Sequence, residues 1–358
     1  MPAEQAASAR SAVANKPAGN ATGSSTAPSG YTGTDENTVK VLFVGDIMLD
    51  RGVRSVINTR GFDYVFGPAT TTFSQHDTVI GNLEGSITRY PSKLVLPNNK
   101  AIPGFQFTFS DKTGPALKDA GIDVVSLANN HALDFGQDGL NQTRANLSAA
   151  GVQFFGSYMN SVMVSTTTCP RADFCIGLVG WNEFGFANDQ RIIEEIRALR
   201  PSVQYLVVYP HWGLEYKAQP TAKQRSLAQA WADAGADAVI GGHAHTVQRI
   251  EQYAAMNADA NGQMAEEQTT NGRAVPIFYS LGNFIFDQYF SFDTTHGIAL
   301  SIEFKKEKGA YAAPRYSVIP FSSIGSRVSI PTEANRARLL KNIENISASG
   351  TRSWLEFR

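Results

Sequence analysis

ADAVIGGHAH, residues 236–245, is a short apolar run that ends abruptly in two glycines and two histidines. Residues 236–240 have the length and composition of a buried strand. Gly241 and Gly242 allow close backbone approach, and His243 and His245 then stand at the strand's carboxyl end. In open α/β sheets that end is where ligands bind. The same pattern recurs outward in both directions, in VKVLFVGD (39–46), DTVIGNLE (77–84), IDVVSLANNH (122–131), VQYLVVYPHWG (203–213) and PIFYSLGNFIFD (276–287). Each reads as a strand followed by a polar or glycine-containing turn.

Between these runs lie amphipathic stretches. QDGLNQTRANLSAAG (137–151) is one, and TAKQRSLAQAWADAG (221–235) another, with Leu227, Ala230, Trp231 and Ala234 at helical spacing and Gly235 as a stop. Strand, crossover, strand predicts an α/β domain. Beyond Pro276 the pattern turns strand-rich, with GIALSIEF (297–304) and YSVIPF (316–321) expected as antiparallel additions. EANRARLLKNIENIS (333–347) then reads as a C-terminal helix. No internal repeat occurs and no boundary divides residues 39–350, which leaves 351–358 as a tail.

Composition narrows the function class. The chain has 358 residues, 42% hydrophobic and 18% charged, which is ordinary for a folded protein. Lys+Arg 31 against Asp+Glu 32 gives a net charge of -1, so no basic field recruits nucleic acid. No run reaches the roughly 18 apolar residues of a membrane span, which predicts a soluble chain. Residues 1–38 are mostly Ala, Ser, Gly, Thr, Asn and Pro and lack a signal peptide's apolar region. They are expected to be a disordered linker, a tether left after a signal or membrane anchor that is not in this chain. The two cysteines, Cys169 and Cys175, flank the mouth of a predicted hairpin, CPRADFC (169–175). A disulfide between them fits an oxidising compartment, whereas two unrelated half-buried thiols are the bland alternative.

The strand ends collect Asp46, Asn82, Glu84, Asn130, His131, His211, His243 and His245, so four of the six histidines stand where apolar runs stop. Taken singly, Asp46 reads equally as a helix cap, NNH as a turn and His211 as a core histidine. Two imidazoles one residue apart beside two glycines read as metal ligands. The mixed nitrogen and oxygen set suits zinc, manganese or iron rather than calcium. His76 and His296 have no motif support and are expected to be structural.

In order along the chain, GDIML, GNLEG, LANNHALDFG, HWGLEY, GGHAHTVQ and YSLGNFIFD resemble the bacterial capsule-biosynthesis CapA family, also called PGA-cap, associated with poly-γ-glutamate. The resemblance runs from about residue 40 to about residue 300. That family is similar to the calcineurin-like metallophosphoesterases. The resemblance therefore implies a four-layer αββα sandwich and a site for one or two divalent ions. It also implies Asp46, Glu84, Asn130, His211, His243 and His245 as metal ligands, with His131 protonating the leaving group.

The chain departs from the superfamily pattern at Met48, where a histidine is usual, and at Glu84, where an aspartate usually bridges the ions. A mononuclear site is therefore an open alternative. From spacing, Asp134 is expected to orient His131. Arg51, Glu215 and Asn283 are candidates for substrate contact, or else ordinary polar residues.

Two functions follow as expectations. One is a periplasmic or cell-surface hydrolase of phosphoester or amide bonds in an anionic polymer. The other is a non-catalytic polymer-binding accessory of membrane-embedded capsule synthesis and export proteins. A cytoplasmic nucleotide phosphatase conflicts with the tether and the cysteine pair.

Overall fold

The strand Thr38–Ile47 shows how the layers arise. Successive side chains of a strand point to opposite faces. Val39, Val41 and Phe43 enter one hydrophobic cluster, and Leu42 and Val44 enter another. The computed structural model of the chain describes residues 35–158, 164–185, 189–256 and 273–358. Residues 1–34, most of the expected linker, lie outside the described residues.

Among the described residues, one sheet has ten strands and a second has six. In the first, Thr38–Ile47 pairs in parallel with Thr78–Leu83, which pairs with Val124–Ser126 and then Gln153–Phe155. On its other side, Thr38–Ile47 pairs antiparallel with His296–Glu307, which pairs antiparallel with Arg315–Ile324. These are the additions expected after Pro276. In the second sheet Tyr205–His211 lies between Phe174–Asn182 and Ala238–Ile240, all parallel.

The sheets face each other. Val39, Val41 and Phe43 of the first share a core with Phe174, Ile176, Tyr205, Val207 and Tyr209 of the second. Leu339, Leu340 and Ile343 of the helix Glu333–Ile346 also enter this core. The first sheet's outer face packs on helices through Val53, Leu117, Leu140 and Leu147. The second sheet's outer face packs through Ile192, Ile196, Ala228 and Trp231. The order is helix, sheet, sheet, helix, the αββα sandwich that the resemblance implies.

Two local expectations shift. The helix Ala222–Ala234 begins in a capping box between Thr221 and Gln224 and stops at Gly235. Its buried face is Gln224, Ala228, Trp231 and Ala232, about one position round from the expected stripe. The reason is Gln224, whose side chain closes the cap and donates to Gln248 at 3.0 Å, turning a polar residue inward. Residues 351–358, expected as a tail, carry a short 3-10 turn and the strand Leu355–Phe357, which pairs in parallel with Arg315–Ile324. At the hairpin, Ser165–Arg171 pairs antiparallel with Phe174–Asn182 and Cys169 is bridged to Cys175.

His76 is structural. Its Nδ1 lies 2.8 Å from the Thr72 carbonyl and its Nε2 2.9 Å from the Ser301 hydroxyl. That pattern satisfies a neutral ring with hydrogen on Nδ1. Burial lowers its pKa from the usual 6.5. The unfolded chain then takes up a proton as pH falls below that value before the folded chain does, so His76 stabilises the fold above it and loses that contribution on acidification. The drop in urea midpoint between about pH 7.5 and about pH 5.5 is expected to be smaller in metal-free His76→Gln than in the parent. Equal drops would show that His76 does not contribute.

Candidate metal centre

Strand pairing brings the chemistry together. The register aligns Asp46 with Asn82 and with Asn283 at the carboxyl ends of their strands. In the second sheet Asn182 pairs with His211, and His211 bridges to Gly242. The ends of both sheets therefore meet at one edge of the sandwich. Gly241 and Gly242 are required there. A Cβ on Gly242 would lie 2.6 Å from Asp46 Oδ1, and one on Gly241 would lie 2.2 Å from the Tyr279 carbonyl oxygen. His243 and His245 both have positive φ, 85° and 55°. Non-glycine residues hold such angles only where surroundings over-determine them, commonly at functional sites.

At the centre, Asp46 Oδ1 accepts from Asn82 Nδ2 at 2.8 Å, and its Oδ2 accepts the His243 backbone N–H at 3.0 Å. His211 Nε2 is 2.8 Å from Asn130 Oδ1 and 3.1 Å from His243 Nδ1. Glu84 is fully buried, and neither carboxylate oxygen has a hydrogen-bond partner. Its Oε1 instead faces His211 Nε2 at 3.8 Å and the Nε2 atoms of His245 and His131 at 3.9 Å.

A buried carboxylate without hydrogen bonds is costly unless a cation satisfies it. Ligand atoms of Glu84, His211 and His243 lie within 4.8 Å of one another, as do those of Asp46, Glu84 and His245. Glu84 is common to both groups. The donor set and the orphaned oxygens fit a divalent ion. Met48 faces away: it is buried in the core beneath the helices, and its Sδ accepts from Asp50 N–H at 3.0 Å.

The electrostatics agree with that chemistry. Burial, with help from the His243 and His245 charges, pushes His211 well below its usual pKa. His243 falls to about 3, through burial and then the neighbouring His245. Burial also lowers His245, but the Glu84 and Asp46 carboxylates overcome it and hold this ring at about 9. Burial drives Glu84 well above the carboxylate range. The free lone pairs of His211 and His243, a protonated His245 and a carboxyl that resists ionisation are thus crowded into one cleft.

The remaining predicted residues are placed as follows. His131 Nδ1 is 2.8 Å from Asp134 Oδ2, which also accepts the Phe107 N–H at 2.7 Å, so Asp134 is pinned behind the ring. Phe107 covers the other side, 4.3 Å between ring centroids. The Arg51 fork is engaged by Asp287 and the Gly104 carbonyl rather than open to the cleft. Asn283 is buried behind His245, accepting at 2.9 Å from its Nδ1. Glu215 is exposed at the mouth of the cleft, close to His243 and His245.

Residues the sequence did not single out complete the site. Asn129 Nδ2 donates to Asn82 Oδ1 and the Leu83 carbonyl, and its Oδ1 accepts from His131 N–H at 3.1 Å. The Phe184 ring lies 4.2 Å from His243. The doubled Asn in NNH was the available signal for Asn129; nothing local marks Phe184.

Over residues 40–288 the chain matches the family described as bacterial capsule synthesis protein PGA_cap. It is 30% identical over 273 residues to the capsule biosynthesis protein CapA of Bacillus anthracis, covering 71% of this chain and 61% of that protein. It is also 30% identical over 278 residues to the PGA biosynthesis protein CapA of Bacillus subtilis strain 168, covering 71% and 64%. The chain therefore spans a little under two thirds of the length of these curated relatives.

Among solved structures it is similar to a phosphatase from Mycoplasma pneumoniae, with TM-score 0.47 and 13% identity, covering 81% of this chain and 96% of that one. For the calcineurin-like phosphoesterase YfkN from Bacillus subtilis the values are 0.41, 15%, 86% and 98%. The family match takes in the whole edge from Asp46 to Asn283, and on that match this chain belongs to the bacterial capsule synthesis protein PGA_cap family.

Proposed function

We propose that this chain is a divalent-metal-dependent hydrolase acting outside the cytoplasm, on phosphoester or amide bonds, in the making of an anionic surface polymer of the poly-γ-glutamate type. The observation that carries the reading is the orphaned Glu84 carboxylate facing three imidazoles. The two relatives named for capsule and PGA biosynthesis support the polymer class and a role at the cell surface. The Cys169–Cys175 bridge supports an oxidising compartment. Its partners in this reading are the polymer and membrane-embedded synthesis or export proteins, with no nucleic acid.

Asp46, Glu84, Asn130, His211, His243 and His245 would hold one or two ions of manganese, zinc or iron. Such an ion supplies positive charge that polarises the scissile group and acidifies a neighbouring water. Asp134 accepts from His131 Nδ1–H and supports the doubly protonated ring, whose Nε2–H, on the Glu84 side, would deliver the proton to the leaving group and leave the ring neutral. Asn82 and Asn129 hold Asp46 and the His131 backbone in place. Phe107 and Phe184 shield the rings from water.

The test is metal content per chain, in protein purified without chelator or nickel affinity, beside His243→Ala and beside turnover of bis-p-nitrophenyl phosphate with added manganese. About one or two equivalents, falling in the variant and accompanied by metal-dependent turnover, support the hydrolase. Metal without turnover, together with polymer binding, supports the accessory role, which Met48 in the core favours by leaving the first subsite without its usual imidazole. No metal after manganese and zinc are restored would sink the hydrolase.

A further inference from the structure

Of the carboxylates in the groups that could hold a cation among the described residues, Asp46 and Glu84 are buried and Glu215 is exposed. Its ligand oxygen lies within 4.8 Å of ligand nitrogens of both His243 and His245. The two deeper groups share Glu84 as their floor; this third group shares both histidines with them and closes the cleft from above. We infer that Glu215 is itself a cation ligand, completing with His243 and His245 a subsite for a divalent ion of the zinc or manganese class. This rests on the metal-dependent reading above and adds a ligand to it.

The loop around Glu215 is built to hold it. Gly213, at φ 86°, turns the chain away from the strand Tyr205–His211, and its N–H donates to Glu183 Oε2 at 2.7 Å. Tyr216 has φ 60°, an unfavourable angle for a residue with a bulky side chain. Its N–H donates to the Ala244 carbonyl at 2.8 Å, and Ala244 lies between the two histidines. The strain is thus held against the same turn that presents His243 and His245.

A hydrogen-bond chain then joins Tyr216, the neighbour of Glu215, to His245. The Tyr216 hydroxyl accepts from Gln288 Nε2 at 3.1 Å. Gln288 Oε1 accepts from Asn283 Nδ2 at 3.0 Å, and Asn283 Oδ1 lies 2.9 Å from His245 Nδ1. The Asn283 carbonyl takes the Nδ1 hydrogen, so Nε2 is the nitrogen whose proton a cation displaces. Outer partners of this kind orient metal ligands and set their basicity. Asn283, a candidate substrate contact from sequence, is by this geometry a positioning residue for His245.

Charge makes the same argument. An exposed carboxylate at the mouth repels an anionic polymer. A cation between Glu215 and the histidines removes that penalty. As a bare substrate contact Glu215 would oppose the polymer it meets.

The test is isothermal titration of the chelator-stripped full chain with manganese and with zinc, on the parent, Glu215→Gln, Tyr216→Phe and the exposed outer-helix control Glu194→Gln. Glu215→Gln is expected to lose one equivalent or weaken one by about 100-fold, and Tyr216→Phe to weaken the same one by about 10-fold. The control stays at parent affinity. Because Glu215 is exposed, metal-free Glu215→Gln is expected to melt with the parent. Unchanged stoichiometry and affinity in Glu215→Gln would overturn the ligand role while leaving the metal centre standing. A parent chain that binds neither ion would overturn both.

Discussion

Replacing His131 with alanine is expected to lower kcat on an alkyl phosphodiester by about 10²–10⁴-fold, the usual contribution of a positioned general acid. Metal content stays at the parent value, because among the described residues His131 is in none of the groups of ligand atoms that converge within 4.8 Å. The size of the loss depends on the leaving group. An alkoxide leaves poorly without a proton, whereas p-nitrophenolate leaves well, so the loss on the p-nitrophenyl ester is smaller. Asp134→Asn falls the same way to a lesser extent, since an amide oxygen still accepts from Nδ1–H but no longer supports the charged ring. Equal loss on both esters would assign His131 to binding rather than proton delivery, and activity within about threefold of the parent would remove it from the mechanism.

Glu84→Leu is expected to make the metal-free protein more stable and to abolish its response to metal. Both Glu84 oxygens are buried without a partner, and each such atom costs about 1–3 kcal/mol. Exchanging a buried ionisable group for an apolar one of similar volume often stabilises by a comparable amount. The metal-free variant therefore melts a few degrees above the parent. The parent in turn gains about 2.7 kcal/mol from an ion at a hundred times its Kd, a gain that the variant lacks. Paired melting curves with and without manganese read both effects. A variant that keeps its metal-induced shift would show that Glu84 is not a ligand; a metal-free variant that melts lower would show that the carboxyl is satisfied by the imidazoles alone.

Much of the site is legible in the chain because it is local. Asp46, Glu84, Asn130, His211, His243 and His245 each follow an apolar run within about five residues, and a strand places such residues at a sheet edge wherever the strand itself lies. The glycines of GGHAH are readable for the same reason, as the only residues that allow Gly242 to lie against Asp46. The hairpin closed by Cys169 and Cys175 is local as well.

What the strand pattern leaves open is which sheet each strand joins. Strands covered on both faces read as unbroken apolar runs, so VKVLFVGD and VQYLVVYPHWG look alike although they lie in opposing sheets. The layer order came from the resemblance, and the alternation of Val41 and Leu42 between two cores displays it. Only tertiary structure pairs Arg51 with Asp287 across 236 positions, which engages a fork expected to meet substrate. Only tertiary structure sets Asn283 behind His245 and holds Tyr216 at a positive φ beneath Glu215. The chain by itself determines which residues stand at the ends of strands, because that depends on a few neighbours. Which of those residues face one another, and which carboxylate is left without a partner, depends on packing between segments far apart in the chain, and the fold alone decides it.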